Sequence, residues 1–213
     1  MKHLIMIGAG GFGRECYWHA LDSIGYGEHF DLKGYLDDTP EGVLREDLLS
    51  MPRIGTIDGY EIQDDDVFIC TIGEPQAKEK IVQKILDRGG KFINLIHKTA
   101  IIHGTAKIGI GNVIIPRVAI TDHAVVGNFV TFNGLNCGHD SVIGDFSSGM
   151  YYSSVAGFGK IGKRVYLATS AIVCPHAVVE DDAYVGVGSV VFKRVKKGKK
   201  VFGNPAVELP DGF

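Results

Sequence analysis

The chain has 213 residues, 45% of them apolar and 22% charged, which excludes wholesale disorder and leaves room for one or two packed domains. Its formal net charge of −3 excludes a global positive field of the kind that draws proteins onto nucleic acid or anionic lipid. Glycine, at 29 residues, is about twice its usual share, so something turn-rich or repetitive uses it.

Lys2 to Ile7 reads as a buried strand, Gly8-Ala9-Gly10-Gly11-Phe12-Gly13 as a glycine turn and Arg14 to Ile24 as a helix. A second strand, Asp31 to Leu36, ends in Asp37-Asp38 and completes a βαβ unit. Val67 to Ile72 resembles a third strand and Glu74 to Arg88 a helix, with Gly89-Gly90 as its stop. Alternating strands and helices predict a parallel sheet, so residues 1–90 are expected to form a small Rossmann-like α/β domain. A GxGxxG turn after a strand sets backbone amides and a helix N-terminus against a phosphate, and an acid like Asp37 at the end of the second strand suits a ribose hydroxyl. The same glycines also serve where strand and helix merely pack closely. About 90 residues supply one mononucleotide-binding half, so a single nucleotide fits the space better than a dinucleotide.

Residues 91–213 follow another rule. An aliphatic or small residue recurs every sixth position from Ile96 through Phe132 and, after one five-residue step, from Cys137 to Val191. A second small position lies four residues after each, as at Ala106, Ala124, Ser141, Ser153 and Ala171. A helix has a period of 3.6 and cannot keep a six-residue repeat on one face, whereas short strands joined by tight turns can. The repeat predicts a parallel β-helix.

Several segments carry a resemblance: Ile7 to Glu15, Gly34 to Asp38, Thr71-Ile72-Gly73, Leu95-Ile96-His97, Gly138 to Asp145, and Gly203-Asn204-Pro205-Ala206. In this order they resemble the bacterial nucleotide-sugar acetyltransferases, which include sialic acid O-acetyltransferases and N-acetyltransferases of UDP-4-amino-4,6-dideoxy sugars. The resemblance implies a left-handed β-helix of hexapeptide repeats, a homotrimer, and acetyl-CoA as co-substrate in the groove between neighbouring β-helices. It implies that the small domain holds a nucleotide sugar, with substrate contacts from Gly8, Gly10, Gly11, Phe12, Gly13, Asp37, Asp38 and Gly73. It further implies His139 as general base, Asp140 as its orienting partner and Gly157 as oxyanion donor, with cofactor contacts from Gly157, Lys199 and Pro205.

Spacing supplies an independent check. His139 and Gly157 are 18 residues apart and take the same place in their hexads, so they are expected to stack one coil apart, about 4.8 Å along the axis. Gly157 can equally be a corner glycine that needs positive φ. Neighbouring residues in a strand point to opposite faces, so a corner must reorient His139 or Asp140 if the two are to meet.

Phe12 and Ser148 stand where many relatives have histidine, and Met150-Tyr151-Tyr152 departs from the usual family text, so amine and hydroxyl acceptors both stay open. The Lys196, Lys197, Lys199 and Lys200 cluster suits either the adenosine phosphate of coenzyme A or a solubilising cap on an open solenoid end. His97, His123 and His176 read as solvated turn or interface residues, and Cys137 and Cys174 as small core residues. No metal is expected: His103 and His139 lie two coils apart, and Gly144 stands where a third zinc ligand would be needed.

The four cysteines are widely spaced with no CxxC pair, and no run of 18 apolar residues is present, so a reducing cytoplasmic location without a membrane span is expected. Two other readings remain: sugar O-acetylation, and a non-catalytic trimeric scaffold that binds nucleotide sugar.

Overall fold

The computed structural model describes residues 1–40 and 43–210, so residues 211–213 of the second expected domain lie outside the described residues. β1 (Lys2–Ile7), β2 (Phe30–Leu36), β3 (Arg53–Gly55) and β4 (Asp66–Cys70) form a parallel sheet in the order β3-β2-β1-β4. Helix α1 (Gly11–Leu21) links β1 to β2, and α2 (Pro75–Asp87) follows β4. α2 begins where it does because the Glu74 carboxylate accepts the N–H groups of Gln76 and Ala77, while Pro75 occupies a first-turn site that needs no donor. Sequence periodicity missed β3, which is three residues long and too short to show one.

From Leu95 onward two-residue strands stack into three parallel sheets, the sides of a triangular prism. The hexad residues line its interior, the first side holding Ile96, Ile114, Phe132, Gly149, Leu167 and Val185. The second side holds Ile102, Ile120, Cys137, Val155, Val173 and Val191, and the third Ile108, Val126, Ile143, Ile161 and Val179. Pairing runs at the expected 18-residue interval, as between Ile143 and Ile161 or Val155 and Val173. The prism also extends past the predicted repeat: Arg194–Val195 and Lys200–Phe202 add further strands, hidden in the sequence by a four-residue step after Val191.

Buried serines at the second inward position keep their hydrogen bonds. Ser141, Ser147 and Ser153 donate to the carbonyls of Gly138, Gly162 and Met150 at 2.7, 2.8 and 2.6 Å, which avoids the cost of an unpaired buried hydroxyl. Corners are tight: eleven non-glycine residues, each the third after an inward hexad position, adopt a left-handed conformation with φ between 54° and 63°.

The α/β unit covers the first side and both corners that bound it. Phe68, Phe92, Phe129 and Phe146 form a ring column at one corner, with successive centroids 5.9, 5.1 and 5.1 Å apart. At the other corner Tyr151 lies beside α1, where burial and the Glu15 carboxylate push its phenol up. Of the two roles expected for His97, a solvated turn or an interface, it is not solvated: it is buried at the junction, edge-on to His19, where the Ile24 N–H donates to the Ile96 carbonyl and the Lys98 N–H to the Asp22 carbonyl on either side of it. Between the corners α2 drives Lys78 into the first side, where the 1% exposed amine donates to Thr131 Oγ1 and Ser148 Oγ at 2.9 Å and to the Ser147 carbonyl at 3.2 Å.

Among the described residues no carboxylate bonds to that amine, and burial lowers its pKa to about 7. In the unfolded chain the amine titrates near 10.4, so between about pH 7 and 10 the unfolded state binds more protons and stability rises with pH. Thermal melting across that range is expected to show the rise in the wild type, and Lys78→Met is expected to remove it.

Candidate active site

His139 stands at the one corner of the prism that the α/β unit leaves free, between the second and third sides. Asp140 takes the left-handed corner position with φ 56°, which turns its side chain back so that its carboxylate lies 2.9 Å from His139 Nδ1. With Nδ1–H donating to that carboxylate, Nε2 is left as the free lone pair. Gly157 lies one coil above, as the spacing predicts. A Cβ there would come within 2.6 Å of Nε2 and 2.7 Å of Cε1, so the glycine exists to make room for the imidazole. Its alternative role as a left-handed corner falls away, because Phe158 takes that conformation with φ 61°. Among the described residues the Gly157 N–H has no acceptor. Cys137, two residues from His139, faces the core, and burial pushes its thiol up to about 12, which keeps it protonated and inert.

The glycine turn opens on a separate cleft of about 420 Å³, lined by Gly8, Gly10, Gly11, Phe12, Asp37 and Asp38 together with Thr39, Ile57, Thr71, Ile72 and Ile81. Gly10 and Gly11 have open space where a Cβ would project, so their backbone is accessible to a ligand. Gly8 is needed for its conformation, φ 103°. Gly13 faces away from the cleft: a Cβ there would stand 2.0 Å from the Gly8 carbonyl oxygen, which makes it a close-packing glycine. Gly73 lies just beyond the lining residues.

Asp37 shapes the turn directly. Its two carboxylate oxygens accept the N–H groups of Ala9 and Thr39, each at 2.7 Å. Burial alone would raise its pKa, but these bonds outweigh burial and hold it below the usual carboxylate range. Asp38 similarly accepts the Ile57 N–H at 2.7 Å. Thr71 belongs to a segment that carries the resemblance but has no site role there, and Ile57 and Ile81 lay outside the sequence reading. Thr71 donates to the carbonyls of Ile7 and Gly8, and the two isoleucines supply apolar wall that no motif marks.

Lys199 and Pro205 meet in a third hollow of about 320 Å³ at the far end of the prism, with Phe192 and Lys193. Lys199 is paired with Glu208 at 2.7 Å. Lys193 stands at the same corner as His139, two coils above Gly157 and therefore roughly 10 Å along the axis. Among the described residues no three His, Cys, Asp or Glu side chains converge as metal ligands.

This architecture matches the acetyltransferase domain of PglB from Neisseria gonorrhoeae solved with acetyl coenzyme A, with a TM-score of 0.87 and 25% identity over 98% of this chain and 99% of that one. Residues 3–85 match the PglD N-terminal domain family. A GDP-perosamine N-acetyltransferase from Escherichia coli is 25% identical over 157 residues, 69% of this chain and 63% of that relative's length. The putative colanic acid biosynthesis acetyltransferase WcaF of Escherichia coli is 34% identical over 124 residues, 49% of this chain and 68% of WcaF. The chain belongs to the hexapeptide-repeat nucleotide-sugar acetyltransferase family.

Within this family member one further polar group stands out. Among the described residues Asn133 Oδ1 is buried without a hydrogen-bond partner, at the corner shared with Met150 and Tyr151 beside α1. Nothing in the repeat pattern marks it, since it is simply the residue after a hexad position.

The glycines of this acetyltransferase-family chain are expected to separate by role. Gly13→Ala forces a Cβ onto a backbone oxygen, and denaturant unfolding should register a loss of about 3 kcal/mol or more. Gly157→Ala should leave unfolding unchanged while displacing the imidazole, read as a shift of the His139 ring resonances in NMR spectra.

Proposed function

We propose that the protein is an acetyl-CoA-dependent N-acetyltransferase acting on a nucleotide-linked amino sugar of the 4-amino-4,6-dideoxy type. The carrying observation is the imidazole of His139 tethered by Asp140 and lying over a side-chain-free Gly157. In this reading Nε2 of His139 takes the proton from the sugar amine as its nitrogen attacks the thioester carbonyl. Asp140 holds the tautomer and favours the imidazolium that forms. The Gly157 N–H donates to the developing oxyanion, a role worth about 3 kcal/mol when preorganised. Collapse of the tetrahedral intermediate expels the coenzyme A thiolate, which recovers the proton from the imidazolium.

The nucleotide would occupy the cleft of the α/β domain, residues 1–90, with its phosphates over the exposed backbone of Gly10 and Gly11 at the N-terminus of α1. Asp37 and Asp38 act there by fixing the loop, since their oxygens already accept backbone N–H groups. Coenzyme A would run along the free corner of the β-helix, residues 91–213, from Gly157 toward the hollow lined by Lys199 and Pro205. The relatives support these ligands by name, a GDP-perosamine N-acetyltransferase for the acceptor and an acetyl coenzyme A complex for the donor.

A single chain separates the two halves of this chemistry. The cleft belongs to the α/β unit, whose α2 carries Ile81 of the cleft wall and packs on the first side through Lys78, whereas His139 stands at the corner opposite that side. A neighbouring copy can bring its cleft to His139, and the surface for such contact is present. The second side presents Ile101, Ala119, Asn136, Ser154, Ile172 and Val190 with no charge among them, whereas the third carries Lys107, Lys160 and Arg194. These features support a homotrimer with sites between subunits. No helix among the described residues is long and apolar enough to cross a membrane, and all four cysteines are free thiols, in keeping with action in the cytoplasm on precursors of surface glycans.

Incubation with acetyl-CoA and UDP-, dTDP-, GDP- or CMP-linked 4-amino sugars, read by mass spectrometry, is expected to give a product carrying one added acetyl group. His139→Ala is expected to lower kcat by about 100- to 10,000-fold with folding intact. Transfer only to sugar hydroxyls would replace N- by O-acetylation, and no transfer to any acceptor would leave a nucleotide-sugar-binding scaffold.

A further inference from the structure

Three rings form a column on the free corner of the prism. His139 meets Phe158 at right angles, with centroids 5.2 Å apart and an interplanar angle of 89°. Phe158 in turn lies flat on His176, 4.8 Å away at 4°. The column follows from the coil repeat, because Phe158 and His176 are 18 residues apart and both take the left-handed corner conformation. Backbone bonds keep it in register: the Phe158 N–H donates to the His139 carbonyl at 3.0 Å and the His176 N–H to the Gly157 carbonyl at 3.2 Å.

Phe158 has no evident reason to be aromatic on stability grounds. A side chain in the left-handed region costs about 1 to 2 kcal/mol, and a ring that stays 43% exposed recovers only about that much by burial, which leaves no net gain. Its organised contacts are lateral, with one imidazole on the coil below and one on the coil above. His139 needs such a contact. Among the described residues its single side-chain tether is one hydrogen bond from Nδ1 to an exposed carboxylate, about which the ring is free to roll. Its Nε2–Cε1 edge points to the coil of Gly157 and Phe158, so Gly157 leaves space for that edge and Phe158 limits which way it tilts.

We propose that Phe158, seated on His176, is a positioning residue that fixes the plane of the His139 imidazole over Gly157. The proposal rests on the reading of His139 as general base. Phe158 touches no reacting atom in this scheme. It acts through the ring it confines, where a misplacement of about 1 Å costs up to roughly 100-fold in rate. An edge-to-face aromatic contact of this kind is worth about 0.5–1.5 kcal/mol.

Steady-state kinetics on the full-length enzyme test this. Phe158→Leu is expected to lower kcat by about 10- to 100-fold with KM for both substrates unchanged, and Phe158→Tyr to restore it. His176→Leu, a more remote change, is expected to lower kcat by about three- to tenfold, the equivalent of one lost aromatic pair, and His176→Phe to restore it. In parallel, the His139 imidazole carbon-bound proton resonances should shift in Phe158→Leu and His176→Leu as the ring-current neighbours change their packing, a readout that needs no substrate. The proposal is overturned if Phe158→Leu keeps wild-type kcat, or loses kcat/KM only through a raised KM. Should Phe158→Leu fail to fold, His176→Leu alone decides. Intact transfer by His139→Ala would sink the base assignment and this proposal together, whereas a dead His139→Ala beside a fully active Phe158→Leu sinks this proposal alone.

Discussion

The strands of each coil of the prism are hydrogen-bonded to those of its neighbours, and that ladder forces residues 18 apart into contact. Much of the molecule follows from this one constraint. A side chain at a corner cannot choose its neighbours, because the residue one coil on must stand beside it. His139 therefore faces Gly157, and any side chain at 157 would occupy the space of the imidazole. The same rule builds the Phe158 and His176 stack one step along the corner, and the Tyr166 and Tyr184 stack on the first side. Left-handed corners cost about 1 to 2 kcal/mol each for residues with a Cβ, and the inward aliphatic residues offset this at about 1.5–3 kcal/mol apiece.

A triangular prism has three sides and three corners, and the chain assigns them differently. The α/β unit takes one side and its two bounding corners through Lys78, the Phe92 ring column and the contact of α1 with Tyr151. That leaves one corner clear, and His139 stands on it. The buried amine of Lys78 is an uncommon way to join two units: burial lowers its pKa to about 7, and its bonds to Thr131 Oγ1, Ser148 Oγ and the Ser147 carbonyl satisfy it away from water.

Glycines that look alike in the sequence do different physical work. Gly8 supplies a left-handed conformation, Gly13 lets the helix approach the turn, Gly10 and Gly11 leave backbone open, and Gly157 leaves room for a ring. The GxGxxG pattern contains no information that separates these roles, because each depends on what lies across from the missing Cβ. Asp37 is a similar case. Its place at the end of β2 was legible, but its bonds to Ala9 and Thr39 make it a clasp for the loop, and those partners are set by how the turn folds back.

The six-residue period determined the prism outright, since no other regular structure keeps it, and alternation of strands and helices determined the parallel sheet before it. The 18-residue coil also brought His139 to Gly157 on paper, because the register of a solenoid is arithmetic. What only the tertiary structure decided is everything that depends on contact between units without a shared period: Lys78 in the first side, His97 buried at the junction, and the cleft and the imidazole on opposite parts of one chain. A local repeat fixes distances along its own axis, but which side a second domain covers depends on side-chain packing between segments 50 to 90 residues apart, and no periodicity records it.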